Sequence, residues 1–383
     1  MNRSTDPWLI LTVALLVVFG MVMVYSASAV VALEHTGDEA RYLTRQLIAA
    51  ALGLVLCVGT AVTPIRILRR YRVALYSAVL LGLVLCFVPG IQHSAKGGSR
   101  WLGFGGFHVQ PSEFAKVVVL FMMAHFLDKH RGLIHDHRVV LKSMLIPLPV
   151  LVLVLMQPDF GTTVIIGGLC IVMLFIAGIK PAHMGIALAT SVAVGIPVMQ
   201  AQAYRLRRLT SFLDPWATAN DEGYHTIQSW VAMHSGGLWG QGLGASMAKL
   251  HFLPEPWTDY ISAVIAEELG LVALASLITL YVILVWRGLA IARRARDPFS
   301  MYLAATLAIM VGLEAFLNLA VVMGIVPPKG LVLPFVSYGG SAMISHLWIV
   351  GILLSISAEA QDTPVQAGWP TAPTAATRVP GTA

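Results

Sequence analysis

Long apolar runs recur along nearly the whole chain, separated by short polar or basic connections. They fall near residues 8–32, 44–63, 73–89, 111–128, 141–157, 159–178, 182–199, 259–286, 300–325 and 336–358, and each can cross a hydrocarbon core of roughly 30 Å. The runs are continuous rather than alternating. That pattern predicts helices, whose backbone groups are satisfied within the segment, and not barrel strands. The expected fold is all-α: a polytopic membrane protein of about ten transmembrane helices. Between the seventh and eighth runs lie residues 200–258, with Trp216, Trp230, Trp239 and many glycines. This stretch is too polar to cross and is expected as one large extracytoplasmic loop. Residues 1–358 thus read as a transmembrane domain including that loop, and 359–383, rich in Pro, Thr and Ala, as a disordered cytoplasmic tail.

Composition sharpens this picture. Of 383 residues, 57% are hydrophobic and 11% charged, against about a quarter charged in a soluble domain. Cys57, Cys86 and Cys170 lie inside apolar runs with no metal or redox spacing and read as small core residues. The first run is longer than the apolar region of a signal peptide, so an uncleaved first span is expected despite Ala27-Ser28-Ala29.

The formal charge of +6 is not a nucleic-acid signal, because its cations cluster in short loops. Arg66, Arg69, Arg70 and Arg72, then Lys129, Arg131, Arg138 and Lys142, then Arg287, Arg293, Arg294 and Arg296 alternate onto one face together with both termini. That face is expected to be cytoplasmic. The other face carries Lys96, Arg100, Lys329 and the large loop, whose Arg205, Arg207 and Arg208 are offset by Asp214, Asp221, Glu222 and Glu255.

Charge inside apolar runs marks the candidate chemistry. Lys249 to Gly270 begins as a proline-broken polar loop and runs straight into an apolar segment, carrying Asp259 at the junction and Glu267 and Glu268 beyond it. A carboxylate there reads as cavity-facing; the structural alternative for Asp259 is capping of the helix that follows. Alternation puts Asp259 at the outer surface, which excludes a nucleotide-driven reaction there, and no GxxxxGK[ST] occurs in the chain. Glu113 and Lys116 have the spacing of a same-face helical pair, with Pro111 and Glu113 also suiting a first turn.

Lys96-Gly-Gly-Ser-Arg100-Trp101 could hold a phosphate or simply anchor at the interface. Lys329 precedes Ser337-Tyr-Gly-Gly-Ser341, a glycine-rich helix entrance of the kind that attracts anions. Asp159-Phe160-Gly161, Gly240-Gln-Gly242-Leu-Gly244 and His135-Asp136-His137 read as turns or loop residues, and no metal site is expected. One base, several cations and two glycine-rich entrances suit transfer on a lipid-linked phosphate or pyrophosphate, with a transporter as the rival reading.

Several stretches together resemble the SEDS family (shape, elongation, division and sporulation). They are Val22-Met-Val-Tyr-Ser-Ala-Ser28, Gln110-Pro-Ser-Glu-Phe-Ala-Lys116, Gln157-Pro-Asp-Phe-Gly161, Phe212-Leu-Asp-Pro-Trp216, Gly223-Tyr-His-Thr-Ile-Gln-Ser229, Ser235-Gly-Gly237, Leu253-Pro-Glu-Pro-Trp-Thr-Asp-Tyr260, Glu267-Glu-Leu-Gly270 and Pro328-Lys-Gly330 through Ser341. They occur in family order over about residues 8–358, and the first and fourth look more like the division branch than the elongation branch.

The resemblance implies a ten-span inner-membrane glycosyltransferase that polymerises lipid II into peptidoglycan outside the cytoplasm, partnered by a class B penicillin-binding protein and by divisome or elongasome proteins. A lipid II flippase and a non-catalytic scaffold are the alternatives. It maps the catalytic aspartate onto Asp259 and the fourth-span pair onto Glu113 and Lys116. Arg100, Trp101, Arg205, Lys329, Ser337 and Ser341 complete the expected substrate-binding set. No resident cofactor is implied, although a divalent cation could share the pyrophosphate. Trp257 stands where the family usually has His, Tyr260 where it has Phe, and Pro328 where it has Thr.

Overall fold

In the computed structural model the described residues are 6–90, 92–95, 98–104, 107–200, 203–221 and 223–361. Fourteen helices account for most of them. They are α1 (Pro7–Thr36), α2 (Arg41–Val62), α3 (Ile65–Arg70), α4 (Arg72–Leu85), α5 (Pro111–Lys129), α6 (His137–Met144), α7 (Leu148–Met156), α8 (Phe160–Ile176), α9 (Pro181–Gln200), α10 (Ala203–Leu213), α11 (Tyr224–Gly236), α12 (Ile261–Arg293), α13 (Pro298–Val322) and α14 (Gly340–Gln361). Every expected span has its helix, the fifth being split into α6 and α7 where Pro147 and Pro149 interrupt the backbone donors. Six segments, among them α6 and α7 taken together, are long and apolar enough to cross a membrane, and α4, α8 and α9 are shorter apolar helices. The protein is a polytopic helical membrane protein. The tail expected beyond residue 358 falls, from 362 onward, outside the described residues; α14 itself runs to Gln361.

Helix α14 is the axis of the bundle, buried along nearly its whole length and packed against α2, α5, α12 and α13. Three short strands join α4 to α5: β1 (Gln92–Ala95), β2 (Gly98–Phe104) and β3 (Phe107–Val109), in antiparallel order β1-β2-β3. Glycines leave this connection without a helical or strand-like apolar period, and the strands were not foreseen from it.

The feature that positions the site is a break in α12. Gly270 has φ 77° and ψ −177°, a backbone state essentially confined to glycine. The residues after it, Leu271–Arg293, make roughly 34 Å of helix, enough to cross the bilayer alone. The backbone groups freed by the break are taken up by the large loop. Gln241 and Gly242 donate to the carbonyls of Glu267 (3.0 Å) and Glu268 (2.9 Å), while Leu271 and Val272 donate to those of Gly237 (3.0 Å) and Leu238 (3.2 Å). Without such partners these groups would cost several kcal/mol each in an apolar setting.

A Cβ on Gly270 would lie 2.4 Å from both Gly240 N and Leu238 O. Gly270→Ala is therefore expected to destabilise the protein by at least about 2 kcal/mol, read as a drop of several degrees in the melting temperature of the purified protein. An unchanged melting temperature would mean that the loop is not seated against the break.

Candidate active site

Asp259 stands just outside the first turn of α12, where Tyr260, not Asp259, occupies the N-cap position. The capping reading of Asp259 therefore does not describe its place. Its backbone is pinned from two sides. The Asn318 side chain on α13 donates to the carbonyls of Asp259 (3.0 Å) and Leu331 (2.5 Å) and accepts from the Ser262 hydroxyl (3.1 Å). From the segment before α14, Ser337 donates to the Thr258 carbonyl (2.6 Å) and accepts from Leu333 N (2.8 Å), and Tyr338 N donates to the Trp257 carbonyl (2.8 Å). The Trp257 ring itself is buried 4.9 Å from that of Tyr42. The tryptophan that stands where the family usually has His thus packs into the scaffold behind Asp259.

The half-buried carboxylate of Asp259 faces a cavity of about 460 Å³ that also takes in Lys329 and Gly330 from the α13–α14 connection and Arg208, Asp221 and His225 from the large loop. Gly330 lies so close that a Cβ there would come within 2.8 Å of Asp259 Oδ2. Arg208 reaches across to the Pro328 carbonyl (3.5 Å), so α10 forms one wall of the cavity. The Lys329 Nζ is enclosed and makes no hydrogen bond among the described residues. Burial pulls its ammonium down to about 8, with Asp159 the strongest opposing influence. A base thus shares a cavity with two cations, one of them held without a hydrogen-bonding partner.

Beneath this cavity four buried ionisable side chains meet. Lys116 on α5 sits 2.9 Å from Glu113 Oε2 and 2.6 Å from Glu314 Oε1 on α13, the first an ion pair without hydrogen-bond alignment. Glu314 Oε2 lies 2.7 Å from His346 Nε2 on α14, whose Nδ1 is 2.6 Å from the Ala342 carbonyl. The expected Glu113–Lys116 pair is present, but two further residues enclose it. Lys116 does not line the cavity of Asp259.

The family model of the cell cycle proteins FtsW, RodA and SpoVE matches residues 7–362. The chain belongs to this family. It is 41% identical over 361 residues to a probable peptidoglycan glycosyltransferase FtsW of Geobacter metallireducens, covering 94% of this chain and 96% of that one. It is 35% identical over 357 residues to stage V sporulation protein E of Bacillus subtilis, covering 93% and 98%. Among solved structures, a chain from a peptidoglycan synthase complex coordinating polymerization and crosslinking superposes with a TM-score of 0.77 at 28% identity, over 94% of this chain and 99% of that one. The rod shape determining protein RodA of Thermus thermophilus superposes with a TM-score of 0.69 at 26% identity, over 94% and 98%. The resemblance read from the motifs is borne out.

Within this FtsW/RodA/SpoVE fold the expected site residues divide. Asp259 and Lys329 meet in the cavity. Ser337 holds the backbone beside Asp259, and Ser341 accepts from Gln110 N (2.8 Å), tying α14 to the start of α5. Arg100 is committed to the carbonyls of Gln157 (3.0 Å) and Pro158 (2.6 Å) at the α7–α8 turn, and Trp101 beside it is half-buried in β2 opposite His93. The Arg205 side chain lies outside the described residues; Arg208, one turn along α10, lines the cavity.

Glu267 and Glu268 do not face the cavity. Glu267 accepts from the Ser246 hydroxyl, Met247 N (3.0 Å) and Ala248 N (3.2 Å), and Glu268 accepts from Lys249 Nζ (2.8 Å) and the Ser26 hydroxyl (2.6 Å). They brace the loop against α12 and α1. Sequence reasoning gave Arg208 and His225 no role in the site and passed over Glu314 and His346, although lone ionisable residues within the last two apolar runs were a usable signal.

Proposed function

We propose that the protein polymerises lipid II into glycan strands at the outer face of the bacterial inner membrane, with both termini cytoplasmic. The observation that carries this is the Asp259 carboxylate sharing one cavity with Lys329 and Arg208; the relatives' names as peptidoglycan glycosyltransferases and the cation-rich loops of the opposite face support it. Asp259 takes the proton from the C4 hydroxyl of the acceptor sugar as that oxygen attacks C1 of the donor. The C1–O bond to pyrophosphate breaks, and undecaprenyl pyrophosphate departs with its charge met by Lys329 and Arg208. An α-linked donor then yields a β-linked product in one inverting displacement, for which one base and a stabilised leaving group suffice.

No group of three His, Cys, Asp or Glu residues that could hold a metal stands together among the described residues. A divalent cation would enter as a companion of the substrate phosphates. Likeness to a chain from a complex that coordinates polymerization with crosslinking supports a class B penicillin-binding protein as partner, within a division or elongation assembly.

Purified protein in liposomes with lipid II, with and without that partner, is expected to form glycan strands resolvable on a gel. Lipid II that crosses the bilayer while no polymer forms would overturn the assignment in favour of transport. Lys329 supplies a second check. Only its protonated form neutralises a leaving diphosphate, and burial places its titration at about 8. Thus kcat/KM, which reports the free enzyme, is expected to fall as pH rises through that value. In Lys329→Arg, whose guanidinium stays charged, the fall should move to higher pH. An unmoved alkaline limb would remove Lys329 from the reaction.

A further inference from the structure

The turn between α7 and α8 lies against Lys329. Gly161, in the first turn of α8, leaves the slot through which the lysine stem passes: a Cβ there would fall 1.5 Å from Lys329 Cε and 2.1 Å from Nζ. Two residues earlier, the buried Asp159 carboxylate caps α8, accepting from Thr162 N (3.1 Å) and the Thr162 hydroxyl (2.8 Å). Arg100 on β2 grips the two carbonyls just before it, and the Gln157 side chain donates to the Leu83 carbonyl on α4 (2.9 Å). A cap alone does not require a turn fastened to two other elements, nor a glycine at the second helical position. Both requirements are met by the cation lying across it.

We propose that Asp159 and Gly161 are positioning residues for Lys329, Gly161 fixing the path of its side chain toward the cavity and Asp159 supplying a negative charge to the turn that the lysine crosses. The proposal rests on the reading of Lys329 as the cation that meets the leaving pyrophosphate. Besides Asp159, the charges around Lys329 are Lys116 and Glu113 of α5 and Glu314 of α13, with Asp259, Arg208, Asp221 and His225 across the cavity. The first three are tied to one another by ion pairs, one lysine between two carboxylates, with His346 of α14 on the far oxygen of Glu314. Of the charges acting on the lysine, Asp159 most strongly favours its charged form, with the Arg100 guanidinium on the two carbonyls just before it as the neighbouring cation.

The two functions of Asp159 separate in one substitution. Asparagine caps a helix as well as aspartate does but carries no charge. Asp159→Asn is therefore expected to melt within about a degree of the wild type while the alkaline limb of kcat/KM for lipid II polymerisation moves down by roughly half to one pH unit. A limb that stays in place would reduce Asp159 to a cap and overturn its part of the proposal.

For Gly161 the test is a double-mutant cycle. Gly161 has no left-handed backbone angle, so alanine suits its helix, and Gly161→Ala should lower kcat/KM about tenfold by displacing Lys329. In a Lys329→Met background the same change should cost nothing further. Losses that multiply would show that Gly161 acts independently of Lys329 and sink the cradle. If Lys329→Met polymerises at the wild-type rate, the leaving-group reading fails and takes the proposal with it, an outcome distinct from either result above.

Discussion

Asp259→Asn is expected to slow polymerisation of lipid II by about 10²- to 10⁴-fold, the usual contribution of a positioned general base. The amide matches the carboxylate in size, and the bond from Asn318 is to the Asp259 backbone carbonyl, which the substitution keeps. Folding should therefore be retained, and the loss should appear in turnover rather than in the yield or melting temperature of the protein. Asp259→Glu retains a base but moves it by one methylene beside Gly330, where even a Cβ would come within 2.8 Å of the carboxylate, so only partial activity is expected. Strand synthesis by Asp259→Asn at the wild-type rate, measured on the purified protein with lipid II, would end the enzymatic reading of this residue.

The second large effect is structural. Lys116→Met leaves Glu113 and Glu314 facing each other in the bundle without the cation between them, and stranding a buried charge in this way costs about 3–5 kcal/mol. The variant should be recovered in lower yield and melt well below the wild type. Exchanging all three residues for neutral near-isosteres, Glu113→Gln, Lys116→Met and Glu314→Gln together, should restore much of the loss, because no unpaired charge then remains. A Lys116→Met protein as stable as the wild type would contradict the enclosed ion cluster. Because Lys116 lies below the cavity rather than along it, its influence on the leaving group is expected to pass through the position of its neighbours and not through contact.

The spans were legible because a lipid environment forces continuous apolar helices, and that demand is written into every run from α1 to α14. Asp259 was legible for the complementary reason, a carboxylate at the edge of such a run being too costly to be incidental. The break at Gly270 was not, since apolar residues continue through it and its compensation comes from Gly237 to Gly242, far back in the chain. Glu267 and Glu268 misled for the same reason: their partners are loop amides and hydroxyls that no periodicity announces. Arg208 reaches the cavity, a role that a cluster of like residues on α10 does not single out. Asp159-Phe160-Gly161 read as a plain turn, because the lysine that crosses it arrives from the other end of the sequence.

The ion cluster also bears on how the protein is made. Lys116 and Glu314 are 198 residues apart, so during synthesis α5 reaches the bilayer long before its later partners on α13 and α14 exist. Glu113, one turn away on the same helix, offsets the Lys116 charge in the interval, and α5 can integrate as a neutral segment. When Glu314 emerges it meets a cation already waiting, and the last helices are drawn toward α5 rather than left to wander in lipid.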